Sequence, residues 1–340
     1  VPGLCFTHSR RKAAVLAAAV ALVLTAAACD AGDDSSSQAD PPKTATGTPS
    51  GVRTPTTSAA PGIPPTSARP GTSTAAGTPA ATKTPVGPTA STGPGASTGP
   101  AKQVVLPPAA ADFDYQIGGP YQPPSNVRVV IRDRSTQPES GLYNICYVNG
   151  YQAQPDALPW WEKEHPDLLL RKDGKVVMDE AWGEAVLDVS TEAKRVKLAE
   201  VVGPWIDDCA HKGFQALEID NLDSYSRSAG LLTLDQDAAF AQLLVRRGHA
   251  AGLAVAQKNT TELADRRAQT GFDFAVAEEC GHYDECGAYA SAFANRVLVV
   301  EYTRADLDKA CQGWRGKLSI VLRDRQVSAK GKGDYQYGTC

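Results

Sequence analysis

The chain is 340 residues long, carries a formal net charge of −4, and is 42% hydrophobic and 21% charged. That balance leaves no basic footprint for nucleic acid, and the length admits two domains. No solenoid or propeller period is present, which excludes a repeat architecture.

The first 28 residues read as an export signal. Arg10, Arg11 and Lys12 precede an apolar run from Ala13 to Ala28, interrupted only by Thr25. The run is short for a membrane span, which takes about 20 residues. It closes with Leu24-Thr25-Ala26-Ala27-Ala28-Cys29, which resembles a bacterial lipobox with Cys29 as the acylated residue. The expected partner here is the membrane, through a lipid anchor on Cys29. The expected location is the extracellular face of the bacterial cell membrane, as a lipoprotein, or secreted. Residues 29–111 are dominated by Pro, Ser, Thr, Ala and Gly, and no aromatic residue occurs between Phe6 and Phe113. Such a stretch cannot bury enough apolar surface to offset its ordering entropy, which predicts a disordered linker. One folded domain is expected over 112–340.

In that domain strand-like and helix-like stretches alternate. The strand candidates are 113–117, 127–131, 142–147, 185–189, 214–219, 253–257, 272–277, 297–301 and 318–322. They are short runs rich in Val, Ile, Leu and Phe, as in strands buried on both faces. Helical spacing runs from Thr191 to Lys212, where Gly213 is a stop and Pro204 predicts a kink or two shorter helices. Thr233 and Gln236 form a capping box, and Gly252 ends that helix. Thr303 with Asp306 opens another, ending before Gly313. The alternation predicts a parallel α/β fold, and eight or nine strands fit a (β/α)8 TIM barrel. An open sheet would instead call for a Gly-rich phosphate loop, and none is visible.

The strand ends carry the chemistry. Asp188, Asp220-Asn221, Lys258-Asn259, Glu278-Glu279 and Glu301-Tyr302 stand where strands give way to loops, and a closed barrel gathers such ends at one mouth. Acidic groups there are costly unless paired or used. The clusters Glu218-Ile219-Asp220-Asn221-Leu222-Asp223 and Glu278-Glu279-Cys280 predict carboxylates facing each other, the equipment of glycoside hydrolysis. Period two puts Glu218 and Asp220 on one face and only one of Glu278 and Glu279 inside. Asp220 and Glu278 are the expected catalytic pair. For any single acid, structural pairing with Lys258 or Arg246 competes with a catalytic role, and Lys258-Asn259 could equally bind sugar hydroxyls. Trp160, Trp161, Trp182, Tyr147, Tyr225 and Tyr302 are candidates for stacking on sugar rings, Trp182 and Tyr302 foremost. The histidines match no metal or triad spacing, and no Gly-x-Ser-x-Gly elbow occurs. No metal and no cofactor are expected.

Six cysteines fall in the folded part: Cys146, Cys209, Cys280, Cys286, Cys311 and Cys340. An even number in an exported domain favours disulfides. Cys280 and Cys286 enclose a short loop and are the first candidates to pair. A zinc site using His282 is the rival there, although the other spacings fit no zinc pattern. The pairing of Cys311 and Cys340 stays open.

An ordered set of motifs then becomes visible. Tyr147, Trp182-Gly183-Glu184 with Leu187-Asp188, and Gly213-Phe214 come first. Glu218-x-Asp220-Asn221-x-Asp223-x-Tyr225, His249-x-x-Gly252-Leu253 and Lys258-Asn259 follow. Glu278-Glu279-Cys280, Cys286 and Glu301-Tyr302 complete it. The set resembles the endo-α-1,4-polygalactosaminidase type of glycoside hydrolase. The resemblance implies a (β/α)8 barrel acting on α-1,4-linked galactosamine-containing polysaccharide. It implies Asp220 as nucleophile, Glu278 as acid/base, and Cys146–Cys209 and Cys280–Cys286 as disulfides. Substrate contacts are expected from Tyr147, Trp182, Asp188, Glu218, Asn221, Asp223, Lys258, Asn259, Glu301 and Tyr302. The family usually has Glu-Pro-Asp-Asn and Asn-Glu-Gln-Cys where this chain has Glu218-Ile219-Asp220-Asn221 and Ala277-Glu278-Glu279-Cys280; the carboxylates survive both changes. An acidic mouth of Asp188, Glu218, Asp223, Glu279 and Glu301 would attract ammonium-bearing units. The competing expectation is a non-catalytic carbohydrate-binding lipoprotein on the same barrel.

Overall fold

The computed structural model describes residues 104–340. The expected signal peptide, Cys29 and the expected linker up to residue 103 lie outside the described residues. Residues 104–111 lie against the barrel. Val104 and Leu106 pack on its inner cluster, and Tyr143 OH and Arg296 Nη1 donate to the carbonyls of Val105 (2.5 Å) and Pro107 (3.0 Å).

Eight strands form one parallel sheet in chain order. They are β1 (Phe113–Gln116), β2 (Val129–Asp133), β3 (Tyr143–Asn149), β4 (Ala216–Asp220), β5 (Ala254–Lys258), β6 (Phe274–Glu278), β7 (Val297–Glu301) and β8 (Ser319–Arg323). A short β9 (Tyr337–Thr339), which no sequence pattern announced, runs antiparallel on β8. Strands β1 and β8 meet through the Arg323–Asp114 ion pair at 3.2 Å and a Gly118–Ser328 bridge rather than a continuous ladder. This is the TIM barrel that the alternation predicts.

Period two divides each strand between two layers. Phe113, Tyr115, Val129, Ile131, Ile145, Ala216, Ala256, Phe274, Val276 and Val300 fill the barrel interior. Val148, Leu217, Ile219, Val255, Ala275 and Val299 face outward into the helices. Three helices begin at a threonine cap. Thr191 caps α1 (Glu192–Lys212), Thr233 and Gln236 form the capping box of α2 (Leu234–Ala251), and Thr303 caps α4 (Arg304–Trp314), while α3 spans Cys286–Ala292. Gly213 and Gly252 end α1 and α2 at φ 94° and 89°, in the left-handed conformation that glycine adopts without strain.

Three expectations change. Pro204 lies inside one continuous helix: the buried stripe Leu198, Val202, Ile206 and Cys209 runs across it, so tertiary packing outweighs the lost hydrogen bond. Helix α4 runs past Gly313 to Trp314. The stretch 185–189 is not a barrel strand. Only Glu184–Val186 is extended, in a small antiparallel sheet with Gln152–Ala153 and Met178–Asp179. Its apolar residues are buried by that insertion between β3 and α1, which gives them the look of a barrel strand.

Disulfides tie the outer layer down: Cys146 of β3 to Cys209 of α1, Cys280 to Cys286 after β6, and Cys311 of α4 to Cys340 beyond β9. No described helix is long and apolar enough to cross a membrane. Removing the Cys146–Cys209 bond, which closes a separation of 63 residues, should cost about 2–5 kcal/mol. A Cys146→Ala/Cys209→Ala variant should therefore unfold at a clearly lower denaturant midpoint than the parent.

Candidate active site

Strands β4, β5 and β6 each end on an inward residue, Asp220, Lys258 and Glu278. In all three the chain then turns through a non-glycine residue at positive φ: Asn221 at 65°, Asn259 at 44° and Glu279 at 57°. Such backbone persists only where its surroundings hold it. Asn221 Nδ2 donates to Asn149 Oδ1 (3.0 Å) and Glu184 Oε2 (3.1 Å). Asn259 grips Glu278 twice, accepting from its backbone N–H (2.8 Å) and donating to its Oε2 (3.0 Å). Glu279 points the other way and pairs with Arg325 at 2.6 Å.

The centre of the arrangement is the Lys258 ammonium, 2% exposed. It lies 2.9 Å from Glu218 Oε1, 3.1 Å from Asp220 Oδ1 and 3.5 Å from Glu278 Oε2, and 3.0 Å from the Tyr115 hydroxyl. Tyr115 OH also donates to Glu218 Oε1 at 2.7 Å. Tyr147 OH donates to Asp220 Oδ2 (2.7 Å), as the Asn221 N–H does to Oδ1 (2.7 Å). Tyr302 OH donates to Glu278 Oε1 at 2.5 Å. Exposure sorts the three carboxylates. The Asp220 and Glu278 side chains are 18% and 24% exposed and can be touched from the cavity; Glu218 is at 0% and cannot.

Electrostatics follow from this geometry. Burial alone would lower the Lys258 pKa, but Asp220, Glu218 and Glu278 outweigh it and hold the ammonium well above its ordinary value. Burial pushes Glu218 up to about 7, against the pull of Lys258. Burial would also raise Asp220, yet Lys258, Tyr147 and the Asn221 N–H hold it below the usual carboxylate range. Burial, then the adjacent carboxylates, push the Tyr147 and Tyr302 phenols well above their ordinary range, so both stay donors. Asp223 and Glu184 are raised, chiefly by burial.

A cavity of about 150 Å³ opens on Asp220 and Glu278. Of the residues expected at the site, Tyr147, Trp182, Asn221, Asp223, Asn259 and Tyr302 also line it. Neither Lys258 nor Glu218 lines it: Lys258 touches the pair directly, and Glu218 touches Lys258. Two expected contacts are elsewhere. Asp188 follows no barrel strand and is engaged by Lys194 and by Ser190. Glu301 falls on the outward face of β7, where its Oε1 accepts from the Gly281 N–H (2.7 Å) and braces the Cys280–Cys286 loop. Glu184 was visible in the sequence only as part of a motif, and Tyr115, Arg227 and Arg325 not at all. Tyr115 shares Phe113's inward period, but Glu184, Arg227 and Arg325 sit on connections whose paths no periodicity describes. The sole grouping of metal-ligating side chains among the described residues is Cys280, Cys286 and Glu301, and its sulfurs are bonded to each other. The site offers two reachable carboxylates on one fixed cation, chemistry suited to displacement at a carbon that develops positive charge.

Residues 94–340 match the model of glycoside-hydrolase family GH114. Among solved structures the chain is similar to Ega3 of Aspergillus fumigatus, in complex with galactosamine, at 21% identity and a TM-score of 0.56, over 71% of this chain and 100% of that one. It is also similar to the glycoside hydrolase domain of PelA from Pseudomonas aeruginosa, at 17% identity and a TM-score of 0.46, over 66% and 98%. No curated protein matches the sequence.

The raised pKa of Glu218 links stability to pH. Folded Glu218 keeps its proton up to about pH 7, whereas the unfolded side chain loses it near 4.5. Between those values the folded state binds the extra proton, so its contribution to stability is full below the lower value and is lost as pH rises through the upper one. The parent should lose on the order of 3 kcal/mol over that window relative to Glu218→Gln. Denaturant titrations of both proteins at pH 4.5 and pH 7.5 measure the difference; equal slopes would refute it.

Proposed function

The chain belongs to glycoside-hydrolase family GH114, and we propose that it hydrolyses α-1,4-linked galactosamine-containing polysaccharide through Asp220 and Glu278. The observation that carries this reading is the shared Lys258 ammonium, which holds both carboxylates at one point of the mouth. In the proposed reaction Asp220, kept ionised by Lys258, attacks the anomeric carbon. Glu278 gives its proton to the leaving oxygen as the glycosidic C–O bond breaks. Water, losing a proton to Glu278, then attacks the same carbon and frees Asp220. Tyr147 and Tyr302 hold the two carboxylates in place as donors.

The reading extends to stereochemistry. Asp220 Oδ1 and Glu278 Oε2 lie 3.1 and 3.5 Å from one nitrogen, so their separation cannot exceed the sum of those contacts. That ceiling on the two nearest oxygens accommodates the carboxyl spacing of about 5–5.5 Å used for retention. The anomeric configuration should be retained.

Amino-sugar substrate is supported by family membership, by the galactosamine carried by Ega3, and by the charge of the mouth. Asp223 and Glu184 line the cavity, and a groove sharing Asp223, Asn259 and Glu278 continues past Glu262, Glu279 and Glu285. This field favours ammonium-bearing units. Export with a lipid on Cys29 completes the proposal, and Cys29→Ala should move the protein from the membrane fraction to the medium.

The parent should release reducing ends from partly deacetylated α-1,4-galactosamine polymer. Glu278→Gln should lower kcat by about 10²- to 10⁴-fold, and Asp220→Asn by at least as much. Full activity in either variant would remove it from the reaction, and binding without turnover by the parent would make the barrel a lectin.

A further inference from the structure

Three of the chain's five tryptophans, Trp160, Trp161 and Trp205, gather outside the catalytic cavity. They line a separate cleft of about 260 Å³ together with Asp133, Arg134, Asn149, Gln152 and Gln154. Asn149 is the last residue of β3, and Arg134 follows the last residue of β2. The cleft therefore opens at the same barrel end as Asp220 and Glu278. Asn149 is also the wall between the two cavities. Its Nδ2 donates to Glu184 Oε2 (2.8 Å) and its Oδ1 accepts from Asn221 Nδ2 (3.0 Å), and Glu184 and Asn221 line the catalytic side.

The cleft has the makings of sugar recognition. Trp160 is 43% exposed, yet its ring is fixed edge-on against Trp161 (centroids 5.2 Å, 78°) and His165 (4.9 Å, 67°). A rigid indole left open inside a cleft is a stacking platform that loses little entropy on binding. The Arg134 guanidinium lies 4.2 Å over the Trp205 ring. The carboxylates of Asp133, Asp208 and Asp156 surround that guanidinium, and Gln154 adds an amide to the lining. The cleft thus presents an apolar face beside polar donors.

Those donors suit a ligand that carries an acceptor. An acetamido group brings a carbonyl oxygen for Arg134 and a methyl group for the indole, whereas a bare ammonium offers the guanidinium no acceptor and meets a lining carboxylate, Asp133, whose Oδ1 Ser135 already engages. We propose that the tryptophan cleft is a distal subsite for a neutral, N-acetylated amino-sugar unit of the same chain that is cut at Asp220 and Glu278. The proposal rests on the amino-sugar reading above. The acidic groove on the far side of the cavity and this cleft then sort one polymer by its acetylation.

The test uses the full chain carrying Asp220→Asn, titrated calorimetrically and by tryptophan emission with α-1,4-linked N-acetylgalactosamine oligomers and with their fully deacetylated counterparts. The acetylated oligomers should bind and shift the emission. Adding Trp160→Ala should weaken them by about three- to tenfold and remove most of that shift, Trp160→Phe should recover part of the affinity, and Arg134→Gln should weaken binding. In the active parent, Trp160→Ala should raise KM for long polymer and leave kcat unchanged. Unchanged affinity in Trp160→Ala, equal binding of the deacetylated oligomers through this cleft, or a loss confined to kcat would each overturn the subsite. A parent that cleaves no amino-sugar polymer would defeat the functional reading instead, and the titrations of the Asp220→Asn chain would still decide the cleft.

Discussion

Everything at the mouth of this barrel depends on one buried cation. Lys258 is 2% exposed and has the carboxylates of Glu218, Asp220 and Glu278 within 3.5 Å. Taking an ammonium out of water costs several kcal/mol, and only close, well-bonded partners offset that cost. Without it the three carboxylates would repel one another in a poorly solvated space. With it, Asp220, which faces the cavity, is held below the usual carboxylate range, while Glu218, which water cannot reach, is pushed up by burial to about 7 in spite of the cation. One cation thus serves two carboxylates on a single strand, and burial with the added donors of Asp220 pulls their proton affinities apart.

The barrel supplies this contact through adjacency and period. Strands β4, β5 and β6 are neighbours in the sheet. Every second residue points inward, so Glu218 and Asp220 enter the interior from one strand, Lys258 from the next and Glu278 from the third. The left-handed residues that follow turn the chain away at once. They leave Asn221 and Asn259 as clamps and send Glu279 outward to Arg325. The disulfide after β6 and the buried Glu301 carboxylate hold the loop that leaves Glu278.

What the sequence disclosed follows the same division. Eight of the nine expected strands are barrel strands, because inward and outward faces are both buried and the runs read as continuously apolar. The run at 185–189 looks identical for a different reason: a local insertion covers it. Period two was enough to separate Glu278 from Glu279 and to align Glu218 with Asp220. Asp188 read as a mouth residue because the run before it mimics a barrel strand, and Glu301 because it ends one, although its period with Val297 and Val299 turns it outward. Lys258 was legible as a strand-end cation with carboxylate neighbours, but its central position was not. The partners it bridges lie 38 to 40 residues away in one direction and 20 in the other, and the strand register that unites them is a tertiary fact. Glu184, Arg227 and Arg325 come from connections that carry no periodic signal.

Asp220 as the group that attacks, Glu278 as the group that shuttles the proton and an amino-sugar chain as substrate all presuppose that Lys258 keeps Asp220 ionised. The acid limb of kcat/KM reports the essential base of the free enzyme. Comparing that limb in the parent with that in Lys258→Met/Glu218→Gln, which removes the cation without stranding a buried charge beneath it, tests the central claim most directly. The limb should move up by about 1–3 pH units as Asp220 loses its counter-charge; a limb that stays where it is would show that Lys258 does not set the charge of Asp220.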